Sequence, residues 1–112
     1  MDFDYYKLEI FIPETHLRVL QKALQRVDAG HIGEYDSCLS YSKVTGTWRP
    51  LEGTHPYIGS TGKISEESEL KVEVTVKAAA LKKIVEKVKQ VHPYEEPVIN
   101  IITIYTYSQL ED

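Results

Sequence analysis

The sequence has a single cysteine, Cys38, so no disulfide can close within the chain, and a cytoplasmic home is the expectation. No apolar run approaches the length needed to cross a bilayer, so no membrane association is expected. The first ten residues, MDFDYYKLEI, lack the charged-then-apolar order of a secretory signal. An excess of base is missing too: 13 Lys and Arg stand against 17 Asp and Glu, a net charge of −4. The basic side chains are spread among acids, not gathered to neutralise phosphates, which argues against a nucleic-acid partner.

What is present suits a folded chain. Hydrophobic residues make up 42% and charged residues 27% of 112 positions, enough for one core and not for two. Residues 1–112 therefore read as a single domain.

Residues 5–12, YYKLEIFI, alternate, with Tyr6, Leu8, Ile10 and Ile12 on one side: a strand with one buried face. Pro13 ends the pairing and suits a helix opening. Leu17, Leu20, Ala23, Leu24 and Val27 then recur at threes and fours, an amphipathic helix that Gly30 is placed to stop. IGEYDSCLSYSKV (32–44) reads as a second strand burying Tyr35, Leu39 and Tyr41. Residues 45–68, rich in Gly, Pro, Ser and Thr, read as a long flap. LKVEVTV (70–76) is the cleanest alternation in the chain. AAALKKIVEKVKQV makes a second amphipathic helix with Leu81, Ile84, Val85, Val88 and Val91 as its stripe, and PVINIITIYTY (97–107) is a last strand.

The order strand–helix–strand–strand–helix–strand predicts an α+β fold, the ferredoxin-like βαββαβ sandwich: a four-stranded antiparallel sheet with two helices on one face. The last strand is apolar on both sides, Val98, Ile102 and Ile104 on one and Ile99, Ile101 and Tyr105 on the other. Ile101 and Tyr105 are assigned to the helix-free side. Apolar surface left there costs about 25 cal/mol per Å², and a second copy of the chain is the simplest cover, so a homo-oligomer is expected.

HPYEEP (92–97) joins the second helix to the last strand. Each proline pushes the residue before it out of the α region, which explains much of the motif as a helix boundary and an extended strand entry. Glu95 and Glu96, being consecutive in an extended segment, face opposite ways and cannot act together as an acid/base pair. They read either as solvated glutamates at a loop edge or as part of a site with His92 and Tyr94. In the flap, Arg49 offers a planar fork to a carboxylate or phosphate, and Trp48, His55 and Tyr57 can stack on a ring. Alternatively, Trp48 and Pro50 pin the flap to a neighbouring subunit. GHIG (30–33) follows a helix instead of opening one, so it is a stop and not a phosphate loop. Cys38 reads as a small packed residue, and His16 as solvent-facing.

Taken together, GHIGEYDSC (30–38), GTWRPLEGTHPYIG (46–59), ELKVEV (69–74) and HPYEEP (92–97) resemble the domain inserted in NIF-three-like (YqfO-type) proteins, the GTP cyclohydrolase I type 2 homologues. That insert is similar in fold to the PII and CutA proteins, and the resemblance implies a trimer with a ligand-responsive loop between the second and third strands. CutA proteins carry a similar Tyr-Glu-x-Pro segment, matched by Tyr94, Glu95 and Pro97. The dimetal site of the full-length family lies in halves flanking the insert, and His16, His31, His55 and His92 show no HxH or HExxH pairing that would replace it.

The expectation is thus a trimeric PII/CutA-like binding or regulatory module and not an enzyme, with no catalytic residue assigned. Its ligand, a small molecule or nucleotide, is expected at a subunit cleft on Arg49, Glu52, His55, Tyr57 and Tyr94. The alternative is a CutA-type divalent-metal site using His92, Glu95 and Glu96, completed by a symmetry mate. A second alternative is a nucleotide-related enzyme of the NIF-three-like family.

Overall fold

The computed structural model describes residues 3–110. The first alternating run becomes strand β1 (Tyr5–Ile12), with Leu8, Ile10 and Ile12 fully buried. Pro13 has no amide to donate, which ends the ladder, and a 3-10 turn (Glu14–His16) leads into helix α1 (Leu17–Arg26). Strands β2 (Ser40–Trp48) and β3 (Ser65–Lys77) make a long hairpin. Helix α2 (Leu81–Val91) and strand β4 (Ile99–Ile104) follow, with a 3-10 turn (Tyr107–Leu110) after the strand. The sheet order is β2-β3-β1-β4, with every neighbouring pair antiparallel. This is the ferredoxin-like sandwich that the element order demanded.

One core holds it together. Leu20 and Leu24 of α1 and Ile84 and Val88 of α2 pack with Leu8, Ile10 and Ile12 of β1 and Leu70, Val72, Val74 and Val76 of β3. Each such side chain contributes about 1.5–3 kcal/mol by leaving water. On the opposite face the centre of the sheet is ionic. Lys7 Nζ donates to Glu73 Oε1 at 2.8 Å, and Glu9 lies 3.6 Å from Lys7 and 3.9 Å from Lys71. The hydrogen bond between Lys7 and Glu73 raises the pKa of the ammonium and lowers that of the carboxyl.

Three expectations are corrected. Residues 32–39 are not strand: Ile32 and Tyr35 close a tight turn on each other, Ser37 has φ +59°, and Tyr35 is 74% exposed. Of the three residues expected inside, only Leu39 packs on the core; Tyr41 lies half in water on the edge strand. The flap is shorter than 45–68, because β2 runs on to Trp48 and β3 begins at Ser65, leaving residues 49–64. The last strand is shorter as well, and its faces are exchanged. Ile99 and Ile101 sit opposite Ile10 and Leu8, on the helix side, whereas Ile102 and Ile104 sit opposite Lys7 and Tyr5 on the helix-free side. Tyr105 lies beyond the strand, its ring 5.3 Å from that of Phe3.

The hairpin overreaches the rest of the sheet. β1 pairs with β3 only from Leu70 onward, so residues 65–69 pair with β2 alone and form a two-stranded arm. The molecule is correspondingly long, 55 × 30 × 23 Å, with a radius of gyration of 15.6 Å. A compact chain of this length has about 13 Å. A two-stranded ribbon is marginal in water by itself, so the arm needs a brace.

Candidate functional site

The brace is HPYEEP. Helix α2 ends at Val91, and His92, preceding Pro93, takes the extended conformation that proline imposes (φ −76°, ψ 131°). That turn drives the His92 ring inward, where it is 7% exposed. Its Nε2 donates to the carbonyl of Phe11 at 2.6 Å, and its Nδ1 accepts from the amide of Tyr94 at 3.2 Å. Both bonds suit the neutral ring, and burial lowers the pKa of His92 below its ordinary value. His92 is thereby a bolt between the turn and β1.

Tyr94 reaches across to the arm. Its hydroxyl donates to Glu69 Oε2 at 2.8 Å. Burial, and then this bond, push the phenol's pKa far up, so it stays a donor throughout the working pH range. Glu69 is only 5% exposed, although Lys71 and Glu73, in register with it on β3, are far more open. Its carboxylate lies over Gly46 of β2, where a Cβ would collide with Oε1. Glycine in this edge strand is the space the carboxylate occupies.

The flap folds back over the same end. Trp48 Nε1 donates to the carbonyl of Ile58 at 3.2 Å, and the Gly62 amide donates to the carbonyl of Pro50 at 2.8 Å. Gly59, at φ +110°, lets the chain pass Trp48 and Ser65 where a side chain would strike the serine hydroxyl. The amide of His55 donates to Glu95 Oε1 at 3.1 Å, which ties the flap to the turn. The rings of Trp48 and Tyr57 stand 5.7 and 6.1 Å from that of Tyr94.

These contacts enclose a cleft of about 540 Å³, within the range of small-molecule sites. Phe11, Trp48, Tyr57, Tyr94 and Val98 are among its apolar and aromatic walls; Arg49, Glu69, Glu95 and Glu96 are its charged groups. Of the ligand residues expected from sequence, Arg49, Tyr57 and Tyr94 line the cleft, while Glu52 and the His55 side chain do not. Glu95 and Glu96 line it and His92 lies behind it. Flap and turn meet within one chain, where the sequence reading had placed their meeting between subunits. Glu69 escaped that reading because its position alternates with solvent-facing charges; the signal was Gly46, a glycine inside a strand.

His31 stands elsewhere, its Nδ1 2.9 Å from Asp28 Oδ1, and the hydrogen bond to that aspartate raises its pKa. His16 touches the flap through an edge contact with Tyr57 at 5.9 Å. Among the described residues of one chain, no three of His, Cys, Asp and Glu are grouped to hold a metal ion.

Comparison with known proteins agrees with this fold. The family model described as CutA1 divalent ion tolerance protein matches residues 53–110. A GTP cyclohydrolase 1 type 2 homolog of Halalkalibacterium halodurans is 45% identical over 96 residues, 86% of this chain and 26% of that protein. A crystal structure of a Bacillus cereus protein related to NIF3 superposes with a TM-score of 0.81 at 31% identity, covering 93% of this chain and 26% of that one. The periplasmic divalent cation tolerance protein CutA from Archaeoglobus fulgidus superposes with a TM-score of 0.67 at 18% identity, covering 91% of this chain and 85% of that one. The fold is thus of the PII/CutA kind. The chain spans about a quarter of the length of the curated relatives it matches.

Proposed function

The chain belongs to the family of CutA1 divalent ion tolerance proteins, and from that premise we propose a trimeric PII/CutA-like binding or regulatory module whose small-molecule ligand sits between flap and turn. The carrying observation is that the cleft is already built: Glu95 holds the flap amide and Tyr94 holds the arm. A pre-formed pocket avoids much of the ordering cost of binding. Val98, 52% exposed at the end of the sheet from which the arm projects, and Ile102, 36% exposed opposite Lys7 on the helix-free face, support the trimer, since sister copies would cover both. The lone Cys38 supports a cytoplasmic setting.

The family's name raises the question of a divalent ion. The donors of one chain do not fit it: both nitrogens of His92 are engaged, and Glu69 is tied to Tyr94. The cyclohydrolase activity named for the longer relatives belongs to proteins of which this chain spans a quarter. We derive no step from either.

Light scattering tests the assembly. A mass three times the 12.8 kDa of the chain is expected, and a stable monomer at micromolar concentration would overturn the trimer. Thermal shift against a panel of nucleotides, amines and divalent metal salts tests the cleft. Stabilisation by an organic compound, lost on Trp48→Ala, is the expected result; a shift with metal salts alone would overturn the reading.

A further inference from the structure

We propose that the cleft selects an organic cation on a compact apolar body, a protonated amine or a quaternary ammonium, and rejects polyphosphates. This rests on the cleft being the ligand site and names the ligand's class. Three carboxylates, Glu69, Glu95 and Glu96, line the cleft against one guanidinium, Arg49. Glu69 weighs most. It is nearly wholly buried, yet among the described residues the only hydrogen bond of its side chain is the one Oε2 accepts from Tyr94. A buried carboxylate without a counter-charge is costly, and a cation delivered by a ligand would supply the missing partner.

The walls make the same selection. Trp48 and Tyr57 lie at tilted angles of 46° and 49° to Tyr94, an aromatic corner of the kind that holds cations against ring faces. The tyrosine hydroxyl there is a neutral donor already committed to Glu69, so it adds no positive charge for a phosphate to meet. A triphosphate entering this cleft would set its anionic oxygens beside three carboxylates, with a single arginine in compensation.

Trp48 is the only tryptophan, so its emission reports the cleft directly. The assembled 112-residue chain is titrated at pH 7 and constant ionic strength with phenethylammonium, with uncharged 2-phenylethanol, and with ATP. The ammonium should bind at least tenfold more tightly than the alcohol, and ATP more weakly than both. Glu69→Gln, similar in shape and without the charge, should bring the ammonium-to-alcohol ratio close to one. Should that variant fail to fold, Glu96→Gln at the exposed rim should lower the ratio severalfold. Equal binding of ammonium and alcohol, or tighter binding of ATP, overturns the ligand class while leaving the cleft a ligand site. No change in Trp48 emission with any of the three overturns both.

Discussion

The amide of His55 and the carboxylate of Glu95, forty residues apart, are joined at 3.1 Å. Through this bond a loop that would otherwise hang from the arm's tip becomes one wall of a cleft. Glu95→Ala should free the flap without touching the core. The expected readout is hydrogen exchange at the His55 amide, with protection falling roughly tenfold for the loss of a charge-assisted bond of about 1.5 kcal/mol. Unchanged exchange would mean that Trp48 and Pro50 hold the flap unaided.

Tyr94→Phe keeps the ring and removes the donor to Glu69. The carboxylate then stays buried without a partner, and urea unfolding should show a loss of about 1–3 kcal/mol. Gly46→Ala should break the same bond from the other side, because its methyl group takes the place of Glu69 Oε1. The two losses should fall well short of additive in the double variant, since both remove one interaction.

His92 gives the fold an acid limit. Its folded-state pKa lies below the ordinary 6.5 because the ring is buried. The unfolded chain therefore takes up the proton first, and stability is full above about pH 7 and falls as the pH drops through 6.5 toward the folded value. Urea midpoints measured from pH 7.5 to 5 should fall on acidification. In His92→Gln this slope should flatten, whatever the variant's stability at pH 7. His31, with a pKa raised by Asp28, acts in the opposite sense and is common to both proteins.

Ile102 lies on the helix-free face directly opposite Lys7. Ile102→Glu places a carboxylate beside that ammonium, which a strand pair accepts, but it charges the apolar patch that the trimer would cover. Light scattering should show the 12.8 kDa monomer with the circular dichroism of the parent. A trimer of undiminished mass would place the interface elsewhere.

The parts of the fold that could be read ahead were those where one face is buried and the other wet. Leu8, Ile10 and Ile12, and Leu70 through Val76, announce their face by alternation, and both helices do so by their stripes. Parity fails where both sides of a strand are apolar. In β4 only the register, Ile99 opposite Ile10, decides which residues look inward. Parity fails again on the arm, where SEES is polar throughout yet forms strand, because its amides are paired by β2 while both faces meet water.

At the site, HPYEEP and the flap were recognisable as chemistry, but their meeting was expected between subunits, whereas His55 and Glu95 join them within one chain. The inward turn of His92 was not legible either. A histidine beside two glutamates suggests a metal ligand, whereas its place one residue past a helix end and before proline turns the ring into the core. Glu69 was hidden for the reverse reason: its neighbours in register are solvent-facing, and its burial comes from Tyr94, 25 residues away in sequence.

The first strand begins, at Tyr5, across from where the last one finishes, at Ile104. The start of β1 and the finish of β4 thus lie side by side at one end of the sheet. A unit wired this way can be spliced into a surface loop of a host protein with no stretching of either partner. This accounts physically for how a βαββαβ sandwich of this size can make up a quarter of a longer polypeptide and keep its own shape there.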